Sequence, residues 1–194
     1  MNKDVNLNRV RQYVDKITDG LNLKIDDGIK ETVVFLNALG INTTMSCEGH
    51  LKWAFGGPWI DIGPKETRKF LSLTKRLQDI RKKLRIEERK KKPNKKVTDK
   101  LDNEHYKLRK IEDRYIRKES KKVFILLEKF YKNRKVDFDE MIILNSVGWG
   151  TRIMSQGTEL QVLNDQKTRE MNLKRYKGEM NLFTEFLKKE YFGK

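Results

Sequence analysis

Residues 41–62 read INTTMSCEGHLKWAFGGPWIDI, two short runs of strand character on either side of a glycine-rich loop. Residues 41–46 alternate apolar and polar side chains, and Trp59-Ile60-Asp61-Ile62 does the same, which is the pattern of half-buried strands. Gly56-Gly57-Pro58 marks the loop between them, and Gly63-Pro64 closes the second run. Upstream, Ile29, Val33, Val34, Leu36 and Leu39 mark the buried side of a helix that Asp26 or Asp27 can cap, with Gly40 at its C-terminal end. Further upstream, Val5, Val10, Tyr13, Val14 and Ile17 predict an amphipathic helix over residues 5–19, stopped by Gly20.

Downstream of residue 64 the period changes. Phe70, Leu73, Leu77, Ile80 and Leu84 are spaced alternately three and four apart, the seam of a coiled coil. Pro93-Asn94 is the natural turn, and Thr98 or Asp99 can cap a second helix with Leu101, His105, Leu108, Ile111 and Tyr115 on one stripe. The run VFILLEKFY, residues 123–131, has a broader apolar face suited to a main core. Arms of about 28 residues would reach on the order of 40 Å. Strand signals return at residues 141–144 and 151–154, around a Gly148-Trp149-Gly150 turn, and residues 160–163 read as a further strand. Asp165 can cap a last helix with Leu173, Tyr176, Met180, Phe183 and Leu187 on one face. The expected fold is α+β: a small antiparallel sheet covered by helices, with a long basic antiparallel helical hairpin inserted between strands. The body takes residues 1–64 and 134–194 and the hairpin residues 65–133.

The chain has 194 residues and a net charge of +16. Residues 65–135 hold 28 Lys and Arg against 11 Asp and Glu, so this one segment accounts for all of the excess. Arg81, Lys82, Lys83, Arg89, Lys90, Lys91, Lys92, Lys95 and Lys96 gather it towards the turn. A polyanion is the commonest partner of such a concentration, and with few aromatics nearby the expected contact is to phosphate rather than to bases. The single cysteine excludes an internal disulfide. No apolar run is fit for a signal peptide or a membrane span, so the expectation is a cytoplasmic protein without a membrane partner.

Cys47, Glu48 and His50 crowd one tetrapeptide around Gly49. If the protein is an enzyme, His50 or Glu48 is the candidate general base and Cys47 the nucleophile or a bystander. Cys47 and His50 have the spacing of half a zinc site. With no second cysteine, and only Glu48 and Asp61 to complete the set, no metal is expected; the cofactor is unknown. Trp53, Trp59 and Trp149 lie in or beside glycine-rich turns, where an indole suits stacking on a planar ligand. Thr44 and Ser46 offer hydroxyls, Asp61 a carboxylate, and Arg152 a fork for a phosphate.

The segments TTMSCEGH (residues 43–50) and PWIDI (residues 58–62) resemble a group of uncharacterised bacterial and bacteriophage proteins with the pattern T-x-x-SCEGH followed by PW(V/I)DI. TTMSCEGH is also similar to the TSSCSGR strand-turn of the wybutosine-synthesis tRNA methyltransferase family, with Glu48 in place of a serine and His50 in place of an arginine. That second resemblance implies action on tRNA with S-adenosylmethionine.

These readings converge on a binding protein for a nucleotide or other phosphorylated ligand, one use of which would be phage-encoded sequestration of a nucleotide signal. The basic hairpin would attract anions or a nucleic-acid backbone. Two alternatives stay open. One is an enzyme on nucleotides or RNA using Cys47, Glu48 and His50. The other is an RNA- or DNA-binding or structural protein that forms a homo-oligomer through the hairpin.

Overall fold

The computed structural model describes residues 2–18, 22–52, 56–148 and 150–193. Gly20, Trp53 and Trp149 therefore lie outside the described residues. The protein is α+β: a four-stranded antiparallel sheet combined with long helices, two of which lie in sequence between its second and third strands. Contacts divide the chain into two compact units, Met1–Gly63 with Glu119–Lys194, and Pro64–Lys118.

In the first unit, α1 (Lys3–Val14) and α2 (Asp27–Ala38) lead to β1 (Thr43–Cys47) and β2 (Trp59–Ile62). The chain returns through β3 (Ile142–Ser146), β4 (Thr151–Ser155) and α5 (Gln166–Phe192). The strands lie in the order β1-β2-β4-β3, all antiparallel. Alternation along β2 and β4 sends Ile60, Ile62 and Ile153 to one core with Val33, Leu36, Met180, Phe183 and Leu187, while Trp59, Asp61 and Arg152 occupy the opposite face. A buried 2.6 Å bond between the Thr32 and Thr184 hydroxyls ties α2 to α5. Asp165 caps α5 as its position suggests, accepting the Thr168 N–H at 2.9 Å.

The inner stripe of α1 is Leu7 and Val14, both buried, with the half-buried Val10 between them, whereas Val5 and Tyr13 are exposed. Residues 160–163 are not a strand: Gln156–Leu163 forms a 3-10 segment in which Leu160, Val162 and Leu163 face solvent. There the amide of Gln161 turns inward to donate to the Tyr176 hydroxyl at 2.9 Å, so a polar residue takes the inner side of the segment.

The second unit is the helical hairpin. Thr67 caps α3 (Arg68–Glu88), accepting the Phe70 N–H at 3.2 Å. Leu73, Leu77, Ile80 and Leu84 are buried against Leu108, flanked by Phe70, Leu101 and Tyr115. Phe70 packs on Tyr115 far from the turn and Arg81 donates to His105 nearer to it, an order that makes the arms antiparallel, and Arg76 donates to Glu104 between the same helices. α4 begins at Lys95, earlier than Thr98 or Asp99, and continues to Tyr131. The earlier start follows from the turn, where Glu87 accepts the Asn94 N–H at 3.0 Å and Asn94 accepts the Lys96 N–H at 3.1 Å. Ile111 is exposed because a 3.5-residue period from Leu101 passes through His105, Leu108, Glu112 and Tyr115 and steps over it. Beyond the hairpin, Val123, Leu126, Leu127 and Phe130 of α4 join the core of the first unit. Among the described residues, no helix is long and apolar enough to cross a membrane.

Candidate functional site

The tetrapeptide 47–50 sits where the end of β1 meets the start of α2, and its geometry begins with Gly49. That residue has φ +84°, and a Cβ there would lie 2.6–2.9 Å from the Gly57–Pro58 backbone. Only glycine satisfies both conditions. The turn folds His50 back so that its Nε2 lies 3.5 Å from Oδ2 of Asp26. The Gly49 N–H points at Cys47 Sγ, 3.4 Å away.

Asp26 is the N-cap residue of α2, yet its side chain makes no cap hydrogen bond. Glu48 performs that task, its Oε2 accepting the Gly28 N–H at 3.0 Å. Gly28 leaves the room for this, since a Cβ there would collide with the Glu48 carboxylate. The other oxygen of Glu48 pairs with Lys177 of α5 at 3.2 Å. The Asp26 carboxylate is thereby turned towards the tetrapeptide, where it accepts the Glu48 N–H at 3.0 Å. One donor atom each of Asp26, Cys47 and His50 lies within 4.8 Å of the other two, and all three residues are half-buried. Burial pushes the Cys47 thiol above its ordinary pKa, and the nearby Asp26 carboxylate adds to the effect against the opposing Gly49 N–H. A thiol pushed in this direction ionises less readily, which works against a nucleophilic role.

The other candidates are placed differently. Asp61 and Arg152 face each other across β2 and β4 and form a bidentate pair with bonds of 2.6 and 2.9 Å. Asp61 is fully buried and Arg152 is 8% exposed. The Arg152 guanidinium also lies 3.9 Å from the centroid of the Trp59 ring. This trio is an internal clamp on the sheet: the Arg152 fork goes to Asp61, and a face of Trp59 to Arg152. Thr44 is exposed on β1, with its hydroxyl 3.4 Å from the Asp61 carbonyl, and Ser46 is half-buried on the same strand. Trp53 and Trp149 fall outside the described residues.

In the hairpin, Arg81, Lys82, Lys83, Arg89, Lys90, Lys91, Lys92, Lys95 and Lys96 are all exposed. Lys90 pairs with Glu87, and Arg81 donates to His105. Among the described residues, none of the others lies within ion-pair distance of a carboxylate.

Sequence reading missed Asp26 and Lys177 as members of the site. Asp26 was legible only as a helix cap, and Lys177 lies 129 residues from its partner, beyond the reach of any local pattern. Comparison with protein-family models, with curated proteins and with solved structures finds no match to this chain.

Proposed function

We propose that the protein binds nucleic acid through its phosphate backbone, with the basic end of the hairpin as the contact surface. The observation that carries this reading is the row Lys82, Lys83, Arg89, Lys91, Lys92, Lys95 and Lys96, exposed and, among the described residues, without a carboxylate within ion-pair distance. Like charges held this close repel one another, and a polyanion relieves that repulsion while its condensed counterions are released. The only aromatic side chains in α3 and the first two-thirds of α4 are Phe70, Tyr106 and Tyr115, and Phe70 and Tyr115 pack on each other. Base stacking therefore has little to work with, and the contact follows charge more than sequence. The small-ligand reading draws less support, since Glu48, Asp61, Arg152 and Trp59 already serve contacts within the body.

The test is fluorescence anisotropy of the full chain with a labelled single-stranded RNA of mixed sequence, over a range of salt. Affinity should fall steeply as salt rises. Replacing Lys91, Lys92, Lys95 and Lys96 together by Ala should weaken binding and reduce the log–log salt slope by about 3, at roughly 0.7 per lost phosphate contact on a single strand. Affinity insensitive to salt, or unchanged in the quadruple variant, would remove the hairpin as the contact surface.

A further inference from the structure

We propose that Asp26, Cys47 and His50 form a three-ligand site for a zinc-class divalent cation, with at least one coordination position left open. The inference stands apart from the nucleic-acid reading and uses none of the same residues. Thiolate sulfur, imidazole nitrogen and carboxylate oxygen are the three donor types that zinc takes from proteins, and three protein ligands are the usual number where a position is kept for water or substrate. The donor atoms lie within 4.8 Å of one another. Around a tetrahedral zinc ion they would stand about 3.3–3.8 Å apart, given its usual bond lengths. The His50–Asp26 separation of 3.5 Å already falls in that range.

Two features of the surroundings point to a ligand and not to a chance cluster. The first is the exchange of helix-capping duty. An aspartate at the N-cap ordinarily turns its carboxylate to the helix amides. Here Glu48, in the turn that follows β1, does so instead, and Asp26 is left facing the sulfur and the imidazole. The second is a set of backbone donors of the kind that orients metal ligands. The Glu48 N–H holds one Asp26 oxygen at 3.0 Å, and the Gly49 N–H lies 3.4 Å from the Cys47 sulfur. The φ of +84° at Gly49 is what lets one short turn present the sulfur and the imidazole on the same side. Metal binding would release the thiol proton to solvent and leave a thiolate–metal bond. The open position would accept water or an oxygen of an anionic ligand.

The experiment is a titration of the full chain, freed of metal by chelation, with Co²⁺ as a spectroscopic substitute for zinc. The expected result is one equivalent bound, with a thiolate-to-cobalt charge-transfer band and the intense visible bands of a tetrahedral ion, displaced by one equivalent of Zn²⁺. Cys47→Ser should abolish the charge-transfer band. His50→Gln and Asp26→Asn should each weaken Co²⁺ binding by at least about tenfold. Asp26→Asn retains an oxygen for the Glu48 N–H, so circular dichroism should confirm that this variant keeps its fold even if Cys47→Ser does not. Absence of the charge-transfer band in the parent chain would overturn the proposal. So would equal Co²⁺ affinity in the parent, His50→Gln and Asp26→Asn chains, because the cysteine would then be binding alone. The quadruple lysine variant should leave the titration unchanged, which separates failure of this site from failure of the hairpin reading.

Discussion

The two units handle charge in opposite ways. In the body, Asp61 and Arg152 are buried together, Glu48 is held between Gly28 and Lys177, and Arg134 pairs with the buried Glu179 at 2.7 Å. Each of these charges has an internal partner and each fixes a geometry. At the hairpin turn Glu87, 7% exposed, is used structurally and pairs with Lys90, while Lys82, Lys83, Arg89, Lys91, Lys92, Lys95 and Lys96 are exposed and, among the described residues, have no carboxylate within ion-pair distance. Burial makes an unpaired charge very costly, so the body pairs its ions; exposure screens repulsion, so the hairpin can keep its cations for an external partner. On this view mutations in the body register chiefly as lost stability and mutations at the turn chiefly as lost binding.

Removing one half of the Asp61–Arg152 pair should have the largest effect. Asp61→Ala removes the carboxylate that accepts both bonds of the buried Arg152 fork and should cost about 3–5 kcal/mol in urea unfolding. Replacing both residues by apolar ones of similar size should recover most of that loss. If the single variant is as stable as the parent, the clamp is not what holds β2 to β4. Next comes the hairpin seam: Leu77→Ala should cost about 2–3 kcal/mol, seen as lost hydrogen-exchange protection in residues 68–115 before the body opens. Simultaneous loss of protection in both units would show that they do not open separately. Gly49→Ala should cost about 2 kcal/mol from the left-handed φ, with more from its overlap with Gly57 and Pro58. Thermal unfolding reads the stability, and loss of Co²⁺ binding in a folded variant would report the displaced turn.

A smaller effect concerns alkaline pH. Burial, followed by the neighbouring Asp139 carboxylate, pushes the Tyr176 phenol up to about 12. The folded state therefore binds this proton more tightly than the unfolded chain, whose tyrosines titrate near about 10. Stability from this source is complete below pH ~10 and is lost as the pH rises towards about 12. Denaturant midpoints measured from pH 9 to 12 should fall more steeply for the parent than for Tyr176→Phe; parallel curves would exclude Tyr176 as the cause. The smallest stability change belongs to the turn. The quadruple Lys91, Lys92, Lys95 and Lys96→Ala chain should stay within about 0.5 kcal/mol of the parent, on the stable side if anything, despite its weakened hold on RNA. A large destabilisation there would mean that these lysines are structural after all.

What the amino-acid sequence determined by itself is whatever repeats along a short stretch of chain. The 3.5-residue period of Phe70, Leu73, Leu77, Ile80 and Leu84 settled α3, and the alternation of Trp59-Ile60-Asp61-Ile62 settled β2. Asp165 and Gly40 marked helix ends, and the charge count marked the hairpin, because caps, periods and charge are local quantities. Local signals also misled where packing overrode them. Leu160, Val162 and Leu163 look like strand residues but lie on the outside of a 3-10 segment, since the inner position went to Gln161 and its bond with Tyr176. Tertiary structure alone decided the company of the SCEGH turn. It placed Asp26 beside Cys47 and His50, gave its capping duty to Glu48, and matched Asp61 to Arg152 from 91 residues away. Such encounters leave no period in the chain: they depend on which faces the hydrophobic core turns towards each other, and that is known only once the helices and the sheet have packed.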